Sequence, residues 1–155
     1  MFLTQEQKQK YKVMSRNTCE KYCLKNHTKT SLIISIKSSW DREMPKVFIS
    51  DKNKVKAILS LSFDDVEKED SVNTHGKEFC MSFDDGKKIA NFITKWYDKV
   101  ETIIVHCDGG ISRSAGVAAA IMRVKEGDDF PIFDNQNKHP NMTCYLRTLK
   151  SFRYI

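Results

Sequence analysis

The chain has no apolar run approaching the ~20 residues that span a bilayer. Its start, MFLTQEQKQKYK, has no apolar middle of the kind a secretory signal carries. A membrane partner is therefore not expected, and a cytoplasmic location is. A spaced cysteine framework is also missing. The five cysteines, Cys19, Cys23, Cys80, Cys107 and Cys144, are odd in number and belong to a chain long enough to fold without covalent staples, so reduced thiols are expected. There is no internal repeat and no linker, and 155 residues at 40% hydrophobic content read as one domain, residues 1–155. The net charge of +6 favours anions, but the lysines are scattered rather than clustered. This disfavours a nucleic-acid module and suits a basic surface that attracts phosphorylated ligands. Cys19, Cys23 and His27 recur every fourth residue and could share a helix face, yet a fourth ligand is not in reach, so neither zinc nor any other metal or cofactor is expected.

What is present alternates between two periodicities. Residues 11–15 (YKVMS), 31–38 (SLIISIKS), 56–63 (KAILSLSF) and 102–106 (TIIVH) are β-branched and apolar enough for strands. Residues 16–26 suit a short helix. Ser82 with Asp85 forms a capping box ahead of Ile89, Phe92, Ile93, Trp96, Tyr97 and Val100, which repeat at helical spacing. Residues 113–127 predict a small-residue helix closed by Gly127, and Asn141 predicts the cap of a last helix with Tyr145, Leu146, Leu149 and Phe152 inward. Surface loops are expected from Asp64 to Cys80 and over 128–140. Strands alternating with helices give an α/β fold with a central, mostly parallel sheet flanked by helices.

One junction stands out. HCDGGISR, residues 106–113, lies between a buried strand and the first turn of a helix, where open α/β sheets bind ligands. A helix N-terminus offers free N–H groups and partial positive charge. Gly109 and Gly110 leave the loop free to curl its amides inward, and Arg113 adds a planar fork matched to two phosphate oxygens. A thiol at the focus of these groups is stabilised as thiolate, which makes Cys107 a nucleophile set in an anion site.

HCDGGISRS resembles the His-Cys-x5-Arg-Ser/Thr motif of the cysteine-dependent protein tyrosine phosphatases, in the compact dual-specificity type. The order of the remaining strands and helices is similar to that family over nearly the whole chain, and HPNMTCYLRTLKSF is similar to the start of its final helix. The resemblance implies a phosphate loop between strand and helix, with Cys107 as nucleophile and Arg113 binding phosphate and stabilising the transition state. Asp108, Gly109, Gly110, Ile111, Ser112 and Arg113 would form the cradle, Ser114 would hydrogen-bond the sulfur as it leaves, and His106 would organise the loop. The family's general acid is an aspartate on a loop after an earlier strand, which implies Asp65, with Asp64 beside it as the alternative. Asp84 and Asp85 sit where a helix begins and read as caps.

The implied substrate is a phosphorylated protein or peptide carrying phosphotyrosine, with phosphoserine or phosphothreonine as further possibilities. The loop has Asp108 and no lysine, which disfavours polyphosphorylated lipid. A monomer without nucleic-acid partner is expected. Rival readings are a phosphate-recognising module with little turnover, an arsenate reductase or sulfur transferase, and an RNA 5′-phosphatase, which the basic charge permits.

Overall fold

The computed structural model describes residues 3–67 and 79–154. Four strands, β1 (Tyr11–Ser15), β2 (Ser31–Lys37), β3 (Val55–Ser62) and β4 (Thr102–Cys107), form one sheet in the order β1-β4-β2-β3, every pairing parallel. β4 is buried at every position and β2 at all but its last, as central parallel strands covered on both faces must be. The pleat sorts their side chains by period two. Leu32, Ile34, Ile36, Ile103 and Val105 join one core, and Ile33 and Ile104 join the other.

The smaller core is closed by α2 (Arg16–Cys23), through Cys19 and Cys23. Ser15 caps this helix by accepting from the Thr18 amide, and the helix ends at Cys23 rather than running on to residue 26. The connection from β2 to β3 is fastened to the end of this helix by Asn53, a fully buried residue. Its side chain donates to the carbonyls of Cys23 and Phe48 and accepts from the amides of Ser50 and Val55.

The larger core lies under α3 (Phe83–Trp96), α4 (Arg113–Glu126) and α6 (Met142–Ser151). The Ser82–Asp85 capping box forms on both sides, and Gly127 closes α4 at φ 82°. Two short helices were not anticipated: α1 (Gln5–Gln9), capped by Thr4, and α5 (Phe130–Phe133), a single turn inside the expected polar loop that buries Ile132. Most of the expected loop after Asp64, residues 68–78, lies outside the described residues. Among the described residues no helix is long and apolar enough to cross a membrane.

The inner face of α6 differs from expectation. Tyr145 and Phe152 pack against the larger core as expected, but Leu146 is 45% exposed and Leu149 only partly buried, whereas Thr143, Cys144, Thr148 and Ser151 face the interior. The reason is close approach. A Cβ on Gly86 of α3 would lie 2.2 Å from Ser151 Oγ and 2.8 Å from the Arg147 carbonyl, and one on Gly116 of α4 would lie 2.5 Å from the Asn141 carbonyl. The helices meet nearly backbone to backbone, and only small side chains fit between them.

Alanine in a helix interior normally gains about 1 kcal/mol over glycine. Gly86→Ala is expected to reverse that sign and cost about 1–3 kcal/mol through overpacking, read as a lowered urea midpoint. An unchanged or raised midpoint would contradict the packing described.

Candidate active site

β4 ends at Cys107 and α4 starts at Arg113, and Asp108–Ser112 turn between them. The loop's carbonyls are tied outward. Those of Asp108, Ile111 and Ser112 accept from the amides of Arg16 (3.3 Å), His139 (2.9 Å) and Asn141 (2.9 Å), and that of Gly110 accepts from Lys138 Nζ. In a trans peptide the N–H points opposite to the C=O, and there is no cis bond among the described residues. Fixing those carbonyls therefore aims the amides of Gly109, Ile111, Ser112 and Arg113 into the loop.

The two glycines divide in function. Gly110 has φ 69°, and a Cβ there would lie 2.4 Å from backbone atoms of Met14 and Ser15. Gly109 has no positive φ, and a Cβ there would make only an ordinary 3.9 Å contact with Ile111. Only Gly110 is required by the geometry.

Cys107 Sγ lies 3.1 Å from Ser114 Oγ and accepts from the Gly110 amide at 3.3 Å. The Arg113 guanidinium is 5% exposed. One terminal nitrogen donates to Ser38 Oγ (3.0 Å) and to the Phe63 carbonyl (2.8 Å), and the other pairs with Asp108 Oδ2 at 3.3 Å. Its Nε is buried without a hydrogen-bond partner among the described residues. A buried unpartnered donor on a cation is costly, and an anion in the loop would satisfy it. His106 is fully buried, with Nε2 2.6 Å from Ser35 Oγ and Nδ1 3.4 Å from the Cys107 carbonyl. Burial lowers its pKa, so the ring is neutral, and a proton on Nδ1 lets it donate to the carbonyl while Nε2 accepts from the serine.

The adjacent aspartates have opposite surroundings. Asp64 is 3% exposed and accepts from the Ser39 amide (2.7 Å), the Ser39 hydroxyl (2.7 Å) and the Phe79 amide (2.8 Å). Burial alone would raise its pKa, but these donors and the Arg113 charge hold it below the usual carboxylate range. Asp64 is thus a fixed structural anion. Asp65 is exposed, and its Oδ1 accepts from Ser112 Oγ (2.8 Å) and Asn141 Nδ2 (3.1 Å), which hangs the carboxyl over the start of α4.

The structure thus brings Cys107, Arg113, Ser114, Asp65 and the Asp108–Ser112 loop together, with His106 beneath. Sequence reading missed Ser35, Ser38 and Ser39, three ordinary serines at the end of β2, and saw in Asn141 only a helix cap. Asn141 does cap α6 through the Cys144 amide, and it also binds Asp65 and the Val66 carbonyl. Asp85 is a cap as expected, and Asp84 pairs with Lys88. Cys19 and Cys23 pack in the smaller core, while His27 stacks on Tyr22 and bonds its carbonyl. Among the described residues no cluster of His, Cys, Asp or Glu could hold a metal.

Acid should destabilise the fold in two stages. His106 is lowered from 6.5, so below that pH the unfolded chain binds a proton that the folded chain refuses, and stability falls. Asp64 is lowered from 3.8, so its contribution is complete above that value and is lost as pH falls through the folded value. Asp64→Asn is expected to cost about 1–3 kcal/mol at neutral pH and to flatten the lower stage in thermal melts. A variant that keeps the parent's slope below pH 3.8 would contradict this role.

No family model matches the chain, and no curated protein sequence does. Solved structures are similar in fold. One described as Tk-PTP in the active form superposes with a TM-score of 0.54 at 14% identity, covering 93% of this chain and 90% of that one. A human tyrosine phosphatase-like serine/threonine/tyrosine-interacting protein gives 0.53 at 18% identity, covering 81% and 77%. These likenesses establish that the chain has the protein-tyrosine-phosphatase-like fold.

Proposed function

We propose that the protein is a phosphomonoester hydrolase acting on phosphorylated protein, phosphotyrosine first, through a phosphocysteine intermediate. The observation that carries this reading is Cys107 Sγ at the focus of the Gly110 amide and the Ser114 hydroxyl, beside a buried guanidinium whose Nε–H has no partner among the described residues. The likeness in fold to the protein described as Tk-PTP in the active form supports it.

In the first step the Cys107 thiolate attacks phosphorus in line. Inward amides and Arg113 hold the three equatorial oxygens as charge moves onto them. Arg113 and these amides supply the positive field that metal ions supply in other phosphatases. The ester oxygen leaves with a proton from the Asp65 carboxyl. In the second step water attacks the phosphocysteine, its proton passes to the Asp65 carboxylate, and the sulfur leaves as thiolate with the Ser114 hydroxyl donating to it. Phosphate and the starting protonation states are restored. Asp65 suits the acid role because it is exposed over the loop, whereas Asp64 is saturated with donors.

Hydrolysis of p-nitrophenyl phosphate in the presence of chelator tests the reading. The parent is expected to turn over, and Cys107→Ser to lose turnover. Asp65→Asn should fall by about 10²–10⁴-fold and lose the decline at basic pH, because the acid must be protonated to act. A parent that binds phosphate without turnover would make the loop a recognition site instead. Asp64→Asn matching Asp65→Asn in pH profile would move the acid assignment.

A further inference from the structure

The start of α6 has no negative charge of its own. Its first turn contains neither Asp nor Glu, although a helix N-terminus carries partial positive charge and leaves its first amides without partners inside the helix. Two side chains supply what is missing. Asn141 Oδ1 accepts from the Cys144 amide at 3.0 Å. Glu67 Oε1, reaching in from a segment 75 residues earlier, accepts from the Met142 amide at 3.0 Å. Glu67 stands two places after Asp65, so this bond ties the segment that bears the acid to the helix.

The segment is fastened at both ends. At the inner end the Asp64 carboxylate holds Ser39 and Phe79, and the Asp64 amide donates to the Phe79 carbonyl at 2.7 Å. At the outer end Glu67 holds the Met142 amide, and Asn141 Nδ2 donates to the Val66 carbonyl at 3.2 Å. Asp65 lies between them, exposed, so packing does not fix it. Both side-chain donors that reach it, Ser112 Oγ and Asn141 Nδ2, end on Oδ1, which leaves Oδ2 to carry the proton. The Asn141 amide also holds the Ser112 carbonyl of the phosphate loop at 2.9 Å. One helix start therefore grips the cradle and the acid segment together and sets one against the other.

We infer that Glu67 is a positioning residue: by capping α6 it holds Asp65 where its proton meets the leaving ester oxygen. This rests on the phosphatase reading above and adds to it the residue on which the acid's alignment depends. Glu67 touches neither substrate nor the reacting atoms, and its carboxylate exchanges no proton in either step. Its loss frees the outer end of the segment, and a proton donor displaced by about 1 Å can cost on the order of 10²-fold in rate. Cys107, Arg113 and the inward amides are held by other contacts, so phosphate binding does not depend on Glu67.

The test compares kcat/KM, which reports transfer to the sulfur, for phenyl phosphate and p-nitrophenyl phosphate. Phenoxide is the stronger base of the two leaving groups and needs the acid's proton more. Glu67→Ala is expected to lower kcat/KM by about 10- to 100-fold for phenyl phosphate and by at least about three-fold less for p-nitrophenyl phosphate. Competitive inhibition by inorganic phosphate should stay within about two-fold. Glu67→Gln keeps an acceptor oxygen for the Met142 amide and should recover most of the loss. In an Asp65→Asn background Glu67→Ala should cost less than about two-fold more, because no acid is left to misplace. Equal loss for both esters, or the same loss on top of Asp65→Asn, would overturn the proposal, since Glu67 would then only brace α6. An unchanged kcat/KM for phenyl phosphate in Glu67→Ala would overturn it too. A parent that binds inorganic phosphate and hydrolyses neither ester would instead overturn the phosphatase reading, and this proposal with it.

Discussion

The outward tethering of the Asp108–Ser112 carbonyls is the constraint on which the rest depends. Two separate pieces of chain supply the four donors: the Arg16 amide at the start of α2, and the segment before α6 with the Lys138 side chain and the His139 and Asn141 amides. Gly110 must lie against the β1 backbone for the loop to reach them, which is why a side chain there would collide with Met14 and Ser15. With the carbonyls so held, no further device is needed to turn the amides inward. An anion site follows from backbone geometry alone.

The buried guanidinium is the second element. Arg113 is nearly inaccessible, and a buried cation is tolerable only if hydrogen-bonded. Ser38, the Phe63 carbonyl and Asp108 satisfy the two terminal nitrogens, and Asp64 adds charge nearby. These partners come from the ends of β2, β3 and β4, so the parallel sheet presents them together at its C-terminal edge. The arginine is thereby held before any ligand arrives, and its buried Nε–H, unpartnered among the described residues, is what a phosphate oxygen would take.

Much of this was legible in the sequence because the defining demands are local. HCDGGISR packs a thiol, a positive-φ position and a guanidinium into eight residues, and the apolar runs of β2 and β4 mark central strands. What escaped depends on tertiary approach. Leu146 and Leu149 have the right spacing for an inner face, but Gly86 and Gly116 bring the helices so close that Thr148 and Ser151 occupy it. Asp64 and Asp65 are chemically identical neighbours, and only the position of Ser39 and Phe79 decides which is locked away. Ser38 carries no signal at all in SIKSSW, since its role exists only once β2 lies beside β4.

The central claim is that phosphorus passes through the sulfur of Cys107. Rapid acid quench of the protein during hydrolysis of an aryl phosphate, followed by peptide mass spectrometry, tests it most directly. The account predicts one phosphoryl group on the peptide bearing Cys107, transient in the parent and absent in Cys107→Ser. Steady turnover with no phosphorylated cysteine at any quench time, or with the phosphoryl group on another residue, would contradict it.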